Sequence, residues 1–239
     1  MTRLAQRVRV AITDRSGGVG KAPFATRNLG GAVGDDPETV RHNRRRTATE
    51  LGIDPDRVVF MHQVHGTDVA YVTEPHRHTS PPLDAVFTDR PGLALAVLVA
   101  DCAPVLIADA EAGIVGAAHS GRVGTAAGVV PALVRAMVGH GAVPGRMTAL
   151  VGPTACGLCY EVPAEMRDEF ALLLPEARST TRRGTPAIDV RAGVAAQLAA
   201  AGVADVRHDS RCTMESPELF SHRRDRPSGR FGAYIWLDA

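Results

Sequence analysis

The sequence predicts an α+β fold. Three observations lead there. Apolar runs of strand length cluster in the middle of the chain. Segments of helical period, with clear start and stop signals, lie on both sides of them. The two kinds of element do not alternate in the regular way a parallel βαβ sheet requires. No internal repeat, low-complexity tract or linker divides the 239 residues, so a single domain over 1–239 is expected.

Taken in order, the N-terminal part holds two Gly-rich loops, Arg15-Ser-Gly-Gly18 and Ala25-Thr-Arg-Asn28-Leu-Gly-Gly31. Asp36-Pro37-Glu38 is a helix start, with Asp as cap and Pro in the first turn. That helix runs to Leu51 and stops at Gly52. Its Arg41, Arg44, Arg45 and Arg46 read as a solvated face. Val58–Val64 and Val69–Val72 are strand-like. Gly66-Thr67 turns between them and puts His65 at a loop mouth. Thr73–Pro82, with His76 and His78, reads as a loop.

Leu93–Ala100 is a continuous apolar run that delivers Asp101-Cys102 at its end. Val105–Asp109 and Ile114–Ala118 are two further strands joined by the turn Glu111-Ala112-Gly113. If Asp109 pairs with Ile114, the antiparallel hairpin sets Pro104 opposite His119. Cys102 then lies across from Gly121, one diagonal from His119, and diagonal neighbours lie about 7–8 Å apart at the backbone. Thr125–Val138 is helical in period, with Pro131 expected to kink it or delay its start. Pro163–Leu174 and Asp189–Ala201 are further helices, the second ended by Gly202. Tyr234–Leu237 is a terminal strand.

Composition narrows the function. A hydrophobic share of 45% and a charged share of 22% are those of a globular protein with a sizeable core. The net charge of +1 argues against a nucleic-acid or anionic-membrane surface. The basic start lacks the apolar stretch of a signal peptide, and no apolar run is long enough to span a membrane. Four cysteines in a chain of this length are not a disulfide scaffold. A soluble cytoplasmic protein is expected.

The chemistry centres on His65, Cys102 and His119, each among small residues. Two imidazoles and a thiolate are a ligand set for Zn²⁺ with one open position, the mark of a catalytic site. They are equally a thiol nucleophile with its bases. After His119, the turn Ser120-Gly121-Arg122-Val123-Gly124 lets backbone approach a ligand and leads into a helix, which suits an anion such as phosphate. Cys156-Gly-Leu-Cys159 is a C-x-x-C with no second pair to complete a zinc site and no thioredoxin-like surroundings, so it is expected to be dispensable for activity. Phe220–Asp225 with Ser228-Gly-Arg230 is an Arg-rich turn, either a cover for an anion or plain surface.

The chain resembles the YfiH family of laccase-domain, polyphenol oxidase or purine nucleoside phosphorylase proteins. The resemblance covers nearly the whole length. It rests on blocks in the family's order, among them Thr26–Gly30, His62-Gln-Val-His-Gly-Thr-Asp-Val69, Ala100-Asp-Cys-Ala-Pro-Val105, Ala118-His-Ser-Gly121, Cys159-Tyr-Glu-Val162 and Phe220–Asp225. It implies an α+β sandwich similar to the catalytic domain of a cytotoxic deamidase toxin. It places the family's metal and catalytic triad on His65, Cys102 and His119. It implies phosphorolysis of adenosine, inosine, guanosine or methylthioadenosine, with adenosine deamination by zinc-activated water. Substrate contacts are expected from Asn28 and from Arg122, which stands where many members carry Trp; Val123 stands where they carry Arg.

Two other functions compete. Phenol oxidation needs several coppers and many His ligands, whereas this chain has nine His in all. A single Cu²⁺ displacing Zn²⁺ would give only weak oxidase activity. The other is an amide hydrolase, with Cys102 as nucleophile and His119 as base, acting on a cell-wall peptide precursor.

Overall fold

The computed structural model describes residues 1–76 and 80–239, so His78 of the expected loop lies outside the described residues. Its strands and helices are β1 (Thr2–Ala5), β2 (Val8–Ile12), α1 (Pro37–Glu50), β3 (Val58–Phe60), β4 (Val69–Tyr71), β5 (Ala85–Thr88), β6 (Ala94–Val99), β7 (Ala103–Asp109), β8 (Ile114–Ser120), α2 (Arg122–Ala127), α3 (Val129–Gly139), β9 (Met147–Val151), α4 (Ala164–Leu173), β10 (Arg178–Thr180), β11 (Pro186–Ile188), α5 (Val190–Ala200), β12 (Asp205–His208) and β13 (Phe231–Leu237). Five strands form one sheet in the order β1-β2-β13-β6-β3. Six form a second in the order β12-β9-β7-β8-β5-β4, and β10-β11 is a separate ribbon.

The strands read as unbroken apolar runs because both faces of both sheets are covered. Along β6, Leu95, Val97 and Val99 point into the space between the sheets, where they meet Leu106 and Ala108 of β7 and Val115 and Ala117 of β8. Ala94 and Ala96 point the other way, toward Tyr234, Trp236 and Ala48 of α1. Val105 and Ile107 of β7 face α3 and α5 through Leu133, Met137 and Val194. The result is four layers: helix, sheet, sheet, helices.

The central hairpin has the expected register. Asp109 pairs with Ile114 and Pro104 with His119. The helix expected over 125–138 is two helices instead. Gly128, at φ 86°, ends α2 in the left-handed conformation, and α3 starts after it. Pro131 then falls in the first turn of α3, where its missing N–H costs nothing.

The segment around His65 also differs from expectation. The first strand ends at Phe60 and pairs in parallel with β6, while β4 pairs with β5 in the other sheet. The chain therefore changes sheets between residues 60 and 69. Gln63 extends the pairing beyond β3 with its side chain, donating from Nε2 to the Leu98 carbonyl (2.7 Å) and accepting from the Leu98 N–H (2.9 Å). The short strands β1, β2, β5 and β9 to β12 were not anticipated. At three to five residues, several with charged members, they carry too little pattern to separate from loop.

The arginines of α1 are not one face. Arg41, Arg45 and Arg46 pair with Glu38, Asp56 and Glu50 at the surface. Arg44 instead lies over the Phe60 ring at 4.2 Å and donates from Nε to the Leu29 carbonyl at 2.8 Å.

Leu133 is fully buried between α3 and the six-stranded sheet, whereas Leu172 on α4 is 85% exposed. Leu133→Ala is expected to cost about 2–5 kcal/mol and Leu172→Ala less than about 0.5, read as the shift in urea midpoint.

Candidate active site

Two non-glycine residues with positive φ flank the candidate site, His65 (63°) and Asp101 (93°). Each is held there by a carboxylate network, fully buried at Asp84 and half-buried at Asp101. Asp84, fully buried just before β5, accepts from the backbone N–H groups of Val64 (3.0 Å), His65 (2.9 Å) and Gly66 (2.6 Å). It also accepts from His119 Nδ1 at 2.7 Å. An ionised carboxylate only accepts, so His119 carries its proton on Nδ1, and Nε2 is the ring's remaining ligand atom. Burial pushes the Asp84 pKa up. The His119 bond and the backbone donors outweigh it and hold the carboxyl below its usual range.

Asp101 plays the same part for Cys102. Its side chain accepts from Thr213 Oγ1 (2.6 Å), Ser221 Oγ (2.7 Å) and the Arg223 N–H (2.7 Å). Its carbonyl accepts from Thr154 Oγ1 (2.6 Å) and the Ala155 N–H (3.0 Å). Sequence reasoning gave Asp84 no role and Asp101 none beyond being the neighbour of Cys102. Neither acts through its local pattern, since the groups they hold are far along the chain.

His65, Cys102 and His119 do converge. Cys102 Sγ is 3.7 Å from His65 Nε2, the two imidazoles stack edge to face at 4.7 Å, and one ligand atom from each of the three lies within 4.8 Å of the others. Gly121 closes the floor. A Cβ there would come within 2.8 Å of the His65 ring and 2.9 Å of the Cys102 sulfur, so the trio fits only around a glycine. The donor set, its spacing and the carboxylate behind His119 all suit Zn²⁺. Without a cation the same groups form an ion pair. Burial pushes the Cys102 thiol up, but His119 and His65 hold it down at about 6. Burial pushes His119 down, but Cys102 and Asp84 hold it up at about 9.

The trio lies in a cleft of about 690 Å³. Phe60, Met61, Leu98 and Val99 line it on the apolar side, His62 and His222 add two more imidazoles, and Arg44 and Arg230 add two guanidiniums. Among the described residues neither Arg44 nor Arg230 has a carboxylate partner; Arg230 donates instead to the carbonyls of Ser228 (2.8 Å) and Gly229 (3.0 Å). Arg122 opens α2 and is not among the cleft-lining residues. Asn28 is fully buried behind the wall. Its Oδ1 accepts from the N–H of Gly30 (2.9 Å) and of Arg230 (2.8 Å), so it shapes the loop that lines the cleft and fixes the backbone of Arg230. His76 also lines the cleft.

Comparison with known proteins agrees with this architecture. Residues 9–238 match the family model described as multi-copper polyphenol oxidoreductase laccase. The crystal structure of YlmD from Geobacillus stearothermophilus superposes with a TM-score of 0.90 at 34% identity, over 98% of this chain and 93% of that one. That of the Bacillus licheniformis hypothetical protein YfiH gives 0.90 at 30%, over 98% and 94%. The chain belongs to the YfiH family. Among relatives of this YfiH-family chain, a Streptomyces griseus protein named purine nucleoside phosphorylase ORF3 is 59% identical over 95% of this chain and 94% of its own length. A Mycobacterium tuberculosis protein named purine nucleoside phosphorylase Rv2149c is 49% identical over 97% and 93%. Among the described residues no helix is long and apolar enough to cross a membrane.

Two predictions follow from the geometry. Asp84→Asn removes the charge behind His119 and is expected to weaken zinc binding about 10–100-fold, measured by competition with a chromogenic chelator. In chelator-treated protein, Cys102 is expected to react with iodoacetamide along a pH curve centred near 6, because its thiolate forms there rather than near the ordinary 9. Peptide mapping distinguishes it from Cys159, which burial and thiol neighbours push up to about 12.

Proposed function

We propose that this chain is a purine nucleoside phosphorylase whose cleft also deaminates adenosine. The observation that carries the reading is the joining, in one cleft, of the His65–Cys102–His119 trio to two guanidiniums that, among the described residues, have no carboxylate partner. Such cations stand ready for a phosphate, and the relatives' name fits that partner. In phosphorolysis a phosphate oxygen attacks C1′ of the ribose and the C1′–N9 bond breaks. Its electron pair leaves with the purine, which takes up a proton. Positive charge develops on the sugar as the bond breaks, and a phosphate dianion held beside it stabilises that charge.

Each group then has a task. Arg44 and Arg230 hold the phosphate, a part that Arg122 was expected to play; Arg122 is not among the cleft-lining residues. Phe60 is stiffened by the Arg44 guanidinium above it and, with Leu98 and Val99, offers an apolar wall for the purine. Burial first, then the charges of Arg230 and Arg226, push His222 below the ordinary imidazole value. It therefore meets the nucleoside as a neutral ring with one donor and one acceptor. A zinc ion held by His65, Cys102 and His119 would supply Lewis acidity beside the bound nucleoside.

A second reading has an observation of its own. The thiolate–imidazolium pair of Cys102 and His119 in the metal-free protein is the arrangement of an activated thiol nucleophile, which favours hydrolysis of an amide. Phenol oxidation gains less support. Among the described residues the metal-competent clusters are two, and neither assembles the His-rich set that several coppers need.

The test is adenosine with and without phosphate, followed by chromatography of products. Adenine and ribose-1-phosphate are expected only with phosphate, and inosine with or without it. Arg44→Ala and Arg230→Ala are expected to raise the KM for phosphate by roughly ten- to hundredfold, the worth of a charge-assisted hydrogen bond at ~1.5–3 kcal/mol, while deamination changes less. Arg122→Ala is expected to leave the phosphate KM unchanged. Absence of phosphate-dependent cleavage for every purine nucleoside tried overturns the proposal. Amide hydrolysis that survives chelation and dies on alkylation of Cys102 supports the second reading.

A further inference from the structure

The C-x-x-C pair has partners that the sequence does not reveal. Cys212 and Glu215 come to meet Cys156 and Cys159, and one ligand atom from each of the four lies within 4.8 Å of the others. We propose that Cys156, Cys159, Cys212 and Glu215 hold a second divalent cation, a structural zinc ion separate from the cleft.

The local backbone is built for it. Cys156-Gly-Leu-Cys159 is a tight turn in which the N–H groups of Cys159 and Tyr160 both donate to the Cys156 carbonyl at 2.9 Å. Cys212-Thr-Met-Glu215 repeats the pattern, with the N–H groups of Glu215 (3.1 Å) and Ser216 (2.9 Å) on the Cys212 carbonyl. Each turn brings two ligand-bearing residues together. The turns are joined by a bridge between Thr154 and Cys212, and the Cys156 N–H donates to Cys212 Sγ at 3.3 Å. An amide donor to sulfur stabilises the thiolate, the form that binds metal.

The charges suit a divalent cation. With metal bound, the three cysteines would be thiolates beside the Glu215 carboxylate, and Arg182 is the cationic side chain that contacts them. It donates from Nη1 to Cys159 Sγ at 3.3 Å and pairs with Glu215. A carboxylate has two oxygens, so Glu215 can give one to the metal and keep the other for Arg182, as ligating carboxylates commonly do. Zinc and Arg182 together would leave the cluster with a single net negative charge. With no cation, burial raises the thiols, and their closeness adds to it. All four cysteines of the chain are free, so no disulfide competes for these sulfurs in the structure.

The position gives the ion a role. Thr154 and Ala155 hold the Asp101 carbonyl, and Thr213 holds the Asp101 side chain. The two segments that a zinc ion would fasten are thus two of the three that hold Asp101 in its left-handed conformation beside Cys102, the third being 221–223. The second site would be a positioning device for the first.

The experiment uses the full chain carrying Cys102→Ala, which removes the cleft thiolate. Purified under reducing conditions and dialysed against metal-free buffer, this variant is expected to retain one zinc per chain by native mass spectrometry. After exchange into Co²⁺ it is expected to show sulfur-to-cobalt charge transfer and the visible bands of a tetrahedral site. Adding Cys156→Ser with Cys159→Ser should abolish both signals. In the Cys102→Ala protein with the four-residue cluster unaltered, zinc released by a mercurial that titrates thiols provides the same count without any further variant that has to fold. No zinc and no sulfur–cobalt band in the Cys102→Ala protein overturns the proposal, as does a Cys156–Cys159 disulfide in protein kept reduced. Because the cleft thiolate is absent throughout, either result is independent of whether the cleft binds a metal or cleaves a nucleoside.

Discussion

The Asp84 carboxylate is the constraint on which the candidate site depends. A fully buried negative charge is costly unless its lone pairs are filled, and here four N–H groups fill them. Three come from consecutive backbone amides at 64–66 and one from an imidazole on β8. Satisfying the charge therefore forces a loop and a strand from distant parts of the chain to one point. It sets the His119 tautomer, and it bends the chain at His65 into a conformation that costs about 1–3 kcal/mol on its own. The carboxylate does not reach the trio's centre, yet it fixes how two of its three members meet there.

Some of this arrangement is legible in the sequence and the rest is not, for physical reasons. The β7–β8 hairpin was legible because its register follows from a four-residue connection between two apolar runs, and local geometry then puts Cys102 near His119. His65 was legible as a residue but not as a neighbour. What brings it in is Asp84, about twenty positions further on and preceding a strand too short to register as one. Arg44 looked like its neighbours on α1 because charge pattern alone cannot tell a guanidinium over a phenyl ring from one in water. Cys212 shows the same limit. It is alone in its stretch of sequence, and only the parallel pairing of β12 with β9 returns that stretch to the C-x-x-C turn.

Arg122 and Asn28, from which substrate contacts were expected, are not among the residues that line the cleft. Both lie within blocks that resemble the family, and both adjoin the cleft along the chain. Asn28 serves by hydrogen-bonding the backbone of Gly30 and Arg230, so its effect on a ligand passes through them. Arg122 begins a helix directly behind Gly121, and it is the glycine, by lacking a side chain, that touches the trio.

Cys102 belongs to the short crossover by which the chain leaves β6 in one sheet and enters β7 in the other. His119 lies near the end of a strand of the second sheet, and His65 lies on another passage between the sheets, from β3 to β4. A ligand that engages all three therefore acts as a pin through a two-layer laminate. Sliding of one sheet over the other would pull the three donors apart. Occupancy of the cleft and the mechanical stiffness of the sandwich are in that sense one property, and ligand binding stabilises the stacked form with the logarithm of ligand concentration over Kd.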